Sequence, residues 1–184
     1  MFTSITYGKL TKEQVFMKIL ERIEQIKRNG YEYEIAVGTD SQTYRKTNIV
    51  RSIVLLEKTH GGIYFSSKKR IKRFNDLQPK IYAEVSETLT LADELRTFLK
   101  EKGFSTEEII DNLVVDLDIG SNGLTCDFIQ GITGWVKAYG FKFRLKPSSV
   151  AASRVSDKLS KRGADSTTIK PHIRPKDKRK KSKK

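Results

Sequence analysis

Cysteine is all but missing: Cys126 is the only one in 184 residues. No internal disulfide can form, and no Cys/His spacing of the kind that holds zinc occurs. A reducing, cytoplasmic setting is therefore the expectation. Long apolar runs are missing as well. Nothing approaches the roughly 18 consecutive apolar residues of a membrane-spanning helix, so no membrane association is expected. Met1–Leu10 lacks a basic start followed by an apolar stretch and does not read as a signal peptide. No internal repeat is visible. Histidine is confined to His60, in a turn, and His172, near the C-terminus, so only His172 is a candidate mobile general acid/base.

What the chain has is positive charge. Lys and Arg number 36 against 22 Asp and Glu, a formal net charge of +14. The last stretch, Lys170–Lys184, holds nine basic residues and one acid, leaving +6 for the body. A basic body with a basic tail points to a polyanionic partner, of which nucleic acid is the commonest; a solvated surface is the plainer alternative. Hydrophobic residues make up 37%, enough for one core. The expected organisation is one domain over residues 1–163 and a basic, disordered tail over 165–184.

Periodicity supplies the elements. Val15, Phe16, Ile19, Leu20, Ile23 and Ile26 recur at helical spacing in Lys12–Arg28, and Asn29-Gly30 ends that helix. Strands are expected at Tyr31–Asp40, Asn48–Lys58 and Gly62–Ser67, the last two joined by a hairpin at His60-Gly61-Gly62. The basic stretch Lys68–Arg73 reads as a solvated loop or a track for a phosphate backbone. A long helix at Pro79–Lys102 follows, then a short one at Ser105–Ile110 capped by Ser105. After these come a strand at Leu113–Ile119, a helix at Leu124–Tyr139, a strand at Phe141–Leu145 and a helix at Val150–Lys161. This order predicts an α/β fold. Its mixed five-stranded sheet has three antiparallel strands and then parallel ones, with helices on both faces and an extra N-terminal helix (11–29) before the core (31–161).

The acids fall at telling places. Asp40 ends the first expected strand and Asp118 the fourth. On parallel neighbours those ends lie about 5 Å apart, where open α/β sheets place their sites. Hard carboxylate oxygens suit Mg²⁺ or Mn²⁺, and two such ions about 4 Å apart drive phosphodiester hydrolysis. Aspartates at strand ends also form turns, which is the structural alternative for each alone. On the long helix, Ile81, Val85, Leu89, Ala92, Leu95 and Leu99 make one stripe. Glu84 lies at its edge, roughly 75° from the centre, either leaning toward the sheet or snorkelling to water. Asp116, on the same side of its strand as Asp118, is a further candidate that would replace or assist it. Lys146 either holds a phosphate or is solvated. Trp135 and Tyr139, four apart on a helix, read as core rather than a base-stacking platform.

Four stretches together resemble the ribonuclease H-like YkuK family of small bacterial proteins. They are Gly38-Thr39-Asp40-Ser41-Gln42, then Glu84 with Leu89-Thr90-Leu91-Ala92, then Asp118-Ile119-Gly120 with Asn122-Gly123. The fourth is Lys146-Pro147-Ser148 running into Ala152-Ser153-Arg154-Val155-Ser156-Asp157. The resemblance spans roughly residues 30 to 163. It implies a ribonuclease H-like fold and two-metal hydrolysis of phosphodiesters, with Asp40, Glu84, Asp118 and Asp157 as the catalytic and metal-holding acids. By helical geometry Asp157 stands opposite the apolar Ala151, Ala152, Val155 and Leu159 face, on a side shared with Ser153. That side faces either solvent or the strand ends.

The functional expectation is a nuclease dependent on Mg²⁺ or Mn²⁺, acting on RNA, DNA or a hybrid. The alternatives are a non-catalytic nucleic-acid-binding protein that keeps the ribonuclease H-like fold and, less favoured, a structural RNA-associated protein.

Overall fold

The computed structural model describes residues 1–43, 46–57, 61–120, 125–149 and 151. The first expected helix forms over its full expected span as α1 (Lys12–Arg28). Thr11 accepts from the Gln14 N–H and the Gln14 side chain answers the Thr11 N–H, which satisfies two otherwise orphaned donors. Its six periodic apolar residues are all buried.

Three long antiparallel strands follow: β3 (Tyr33–Thr43), β4 (Thr47–Glu57) and β5 (Gly61–Ile71). Helix α2 (Leu77–Glu101) and the short α3 (Thr106–Asn112), capped by Ser105, lead into β6 (Leu113–Asp116). A 3-10 turn at Cys126–Phe128 and α4 (Ile129–Ala138) then precede β7 (Lys142–Arg144). β3 pairs parallel with β6, and β6 parallel with β7. Among the described helices none is long and apolar enough to cross a membrane.

Among the described residues the sheet has seven strands, not the expected five, in the order β2-β1-β5-β4-β3-β6-β7. The additions are β1 (Phe2–Ser4) and β2 (Gly8–Leu10), an antiparallel N-terminal hairpin laid against β5. Gly8, at φ 71°, opens β2 in a conformation that favours glycine. β5 also outruns its expected end at Ser67. Lys68, Lys69 and Arg70 stand opposite Val50, Ile49 and Asn48 of β4, so these basic residues belong to a strand rather than a loop.

Alternation sorts the sheet's two faces. Tyr33, Ile35, Val37, Ile53, Leu55, Phe65, Leu113 and Val115 join the large core with buried residues of all four described helices. Ala36 and Val54 point to the other face, where Ala151 packs on them. Beyond Ala151 the helix expected at 150–161, and with it cover of the second face, lies outside the described residues.

The parallel ladder determines where the acids sit. It ends at Gly38↔Asp116. β3 continues past Asp40 because β4 still pairs with it, whereas β6 stops two residues before Asp118. Asp40 and Asp118 thus both lie two residues beyond the last parallel pair. The β6 side stays anchored there: Leu117 N–H donates to Arg144 O (2.9 Å) and Lys146 N–H to Ile119 O (2.9 Å).

Candidate active site

Three elements deliver three acids to one cavity of about 410 Å³. Asp40 comes from β3, Glu84 from α2, and Asp118 from the segment after β6; Lys80, Gly120 and Lys146 share the lining. Glu84 is 8% exposed, so the helix edge turns toward the sheet rather than to water. Its Oε1 accepts from the Ser41 hydroxyl at 2.6 Å, and Lys80, one turn earlier on α2, brings Nζ to 3.8 Å. Lys146 Nζ reaches Asp118 Oδ1 at 2.8 Å.

Burial dominates the electrostatics of Glu84. Desolvation pushes its carboxyl up to about 8; the Ser41 hydrogen bond and Lys80 pull it down, and Asp40 and Asp118 push it up again. Glu84 is therefore close enough to Asp40 and Asp118 to feel the charge of both.

Asp116 does not reach the large cavity. It is wholly buried, and both oxygens are engaged: Oδ1 by Arg144 Nε (2.7 Å) and Oδ2 by the Ala151 N–H (2.6 Å). Arg144 bridges on to Glu34 through Nη1 (2.6 Å). With this closed shell of donors Asp116 holds structure together, and Asp118 is the aspartate that lines the large cavity. Asp157 and His172 lie outside the described residues. Sequence reasoning passed over Lys80, Ser41 and Arg144. Lys80 stands four before Glu84 and Ser41 directly follows Asp40, so both signals were present. Arg144 meets Asp116 only through strand pairing, which no local pattern announces.

Whether these residues suit a hard divalent cation can be tested on chemistry and on Thr39. The donors are carboxylate oxygens, the type Mg²⁺ and Mn²⁺ prefer. Thr39, Glu84, Asp116 and Asp118 are among the residues lining a second cavity of about 10 Å³, room for about one water. The Thr39 hydroxyl is buried there without a hydrogen-bond partner from the protein, so it calls for something further to bond. As placed, no three His, Cys, Asp or Glu among the described residues gather into a metal-holding group. The donors fit such a cation, then, but their present counterions include lysines.

The chain matches the model of the family described as "Ribonuclease H-like" over residues 14–161. It is similar to "Uncharacterized protein YkuK" of Bacillus subtilis (strain 168), 27% identical over 175 residues that cover 88% of this chain and 97% of that protein. No solved structure matches it.

Proposed function

The chain belongs to the ribonuclease H-like family, and from that premise we propose that it hydrolyses phosphodiester bonds in nucleic acid with Mg²⁺ or Mn²⁺. The observation that carries this reading is the meeting of Asp40, Glu84 and Asp118, from three separate elements, in one cavity just past the parallel ladder. Asp40, Glu84 and Asp118 would hold the cations, with Asp157 completing the set. When bound, a pair of such ions supplies an activated water and neutralises charge at the leaving 3′ oxygen. The protein's own groups prepare this arrangement. Ser41 fixes the orientation of Glu84 by donating to Oε1. With its carboxyl pushed up to about 8, Glu84 holds a proton near neutral pH in the metal-free protein, which limits repulsion among the acids. Lys80 and Lys146 supply positive charge at the cavity wall for a phosphate. The basic tail, 165–184, would add affinity without sequence choice, falling as salt rises.

The test is a cleavage screen over RNA, DNA and hybrid substrates with Mg²⁺ or Mn²⁺, comparing the wild type with Asp40→Asn. The variant is expected to lose activity by more than the about 10–100-fold typical of changes around a metal's outer shell. One observation favours a second reading, a non-catalytic nucleic-acid-binding protein: the acids already carry lysine partners and are not gathered for a metal. Mn²⁺ separates the two. It should raise the melting temperature of the wild type and much less that of Asp40→Asn; equal shifts, with no cleavage, would favour the binding protein.

A further inference from the structure

Lys146 is attached to the site in an unusual way. Its backbone is held, since the N–H donates to Ile119 O at 2.9 Å. Its ammonium, by contrast, lies on a flexible four-carbon stem. The Lys146 side chain is 47% exposed while the Asp118 side chain it holds is 14% exposed. The acid is committed to the cavity and the cation can leave it. Lys80, in the same lining, repeats the arrangement with Glu84 at a looser 3.8 Å.

We propose that Lys146 is an exchangeable counterion: it occupies Asp118 in the metal-free protein, and a divalent cation taking Asp118 releases it to bind a phosphate oxygen. This rests on the hydrolase reading and names how that site selects its ligand. Two lysines against three carboxyl groups leave the metal-free cavity neutral or negative, a poor seat for phosphate. A divalent cation makes it positive and frees an ammonium at the same moment. Cation and phosphodiester should therefore assist each other, and by linkage each raises the other's affinity by the same factor. Lysine suits the role. The ammonium of this pair is half exposed, so water can take it up when a cation displaces it, and it binds phosphate as a movable point charge.

The experiment is calorimetric titration of the full chain with Mn²⁺, without and with a saturating, hydrolysis-resistant phosphorothioate oligonucleotide. In the wild type the oligonucleotide should tighten Mn²⁺ binding by at least about fivefold, the low end of ordinary coupling. Lys146→Met should bind Mn²⁺ alone more tightly, by up to about fivefold, and gain less from the oligonucleotide than the wild type does. Lys146→Arg keeps the charge but offers a rigid fork that matches a carboxylate, so it should bind Mn²⁺ alone more weakly than the wild type. Melting temperatures of both variants, in EDTA, check that they fold. The same coupling in Lys146→Met as in the wild type overturns the proposal, because simple removal of charge changes affinity without changing coupling. Equal Mn²⁺ affinity in Lys146→Arg and the wild type overturns it as well. In both of those outcomes a wild type that binds Mn²⁺ and cleaves leaves the hydrolase reading standing. If no variant binds Mn²⁺ under either condition, the hydrolase reading falls and the exchange with it.

Discussion

Asp116 and Asp118 are two residues apart, yet each meets a different kind of cation. Asp116 is wholly buried and meets an arginine, whose fork spans two acids: Nε on Asp116 and Nη1 on Glu34. The Ala151 N–H takes the other Asp116 oxygen, and Ser52 donates to the Ala151 carbonyl at 2.8 Å, so a main-chain residue is clamped from both sides. Asp118 faces an open cavity and meets a lysine whose stem reaches solvent. An arginine in a fixed fork makes a permanent joint, whereas a lysine on a free stem makes a replaceable one. The buried cluster holds β6, β7 and Ala151 in place, which keeps the open cluster's acids at one edge.

The largest effect should come from breaking the closed cluster. Asp116→Asn removes the buried carboxylate to which both the partly exposed Arg144 and the Ala151 N–H donate, and is expected to lower stability by about 3 kcal/mol, read from urea unfolding. Asp118→Asn, two residues on, should change stability by less than about 0.5 kcal/mol, because its partner is half exposed and can turn to water. Comparable losses in the two variants would erase the distinction between joint and replaceable pair.

A pH-dependent effect, absent in acid and growing toward alkaline pH, should come from Glu84. Its carboxyl titrates near 4.5 when unfolded and is pushed up to about 8 in the folded protein, first by burial. Between those values the folded state keeps a proton that the unfolded chain has lost. The stability linked to that proton is complete below 4.5, declines as pH rises through the window and is gone above about 8. Glu84→Gln, neutral throughout, escapes the decline. With EDTA present, variant and wild type should unfold alike near about pH 4, and the variant should be more stable by a few kcal/mol near about pH 9. Parallel stability curves across the range would mean that water reaches this carboxyl.

Much of the frame was legible because it is periodic. The alternation of Tyr33, Ile35 and Val37 and the α2 stripe from Ile81 to Leu99 both report burial against a neighbour, and both are buried. The β1–β2 hairpin was not legible, since three-residue strands are too short to show alternation. The same holds for the extra length of β5, whose Lys68, Lys69 and Arg70 look like loop composition and are strand by virtue of pairing with β4. Within the site, Asp40, Glu84 and Asp118 could be found because their elements could be found, and the structure brings all three to one cavity. The separation of Asp116 from Asp118 could not. On an ideal strand both point to the same side, and only the end of β6 at Asp116, with Arg144 and Ala151 closing over it, divides them.

The smallest effect on stability should come from Gly120, where the two clusters share one stretch of chain. A Cβ there would meet the Lys146 Cβ at 3.2 Å and its carbonyl oxygen at 3.6 Å, so Lys146 must give by a few tenths of an ångström. Gly120 is not among the glycines with positive φ, so alanine meets no backbone strain. Alanine also restricts the unfolded chain, a gain of about 0.4–1 kcal/mol that offsets the crowding. Gly120→Ala should therefore leave stability within about 0.5 kcal/mol of the wild type. The displacement falls on Lys146, the replaceable cation, while the Asp116 clamp has its partners elsewhere. Mn²⁺ affinity measured by calorimetry should consequently shift although the unfolding curve does not. A clear loss of stability with unchanged Mn²⁺ binding would instead make Lys146 part of the permanent joint, and the contrast between the two clusters would fail.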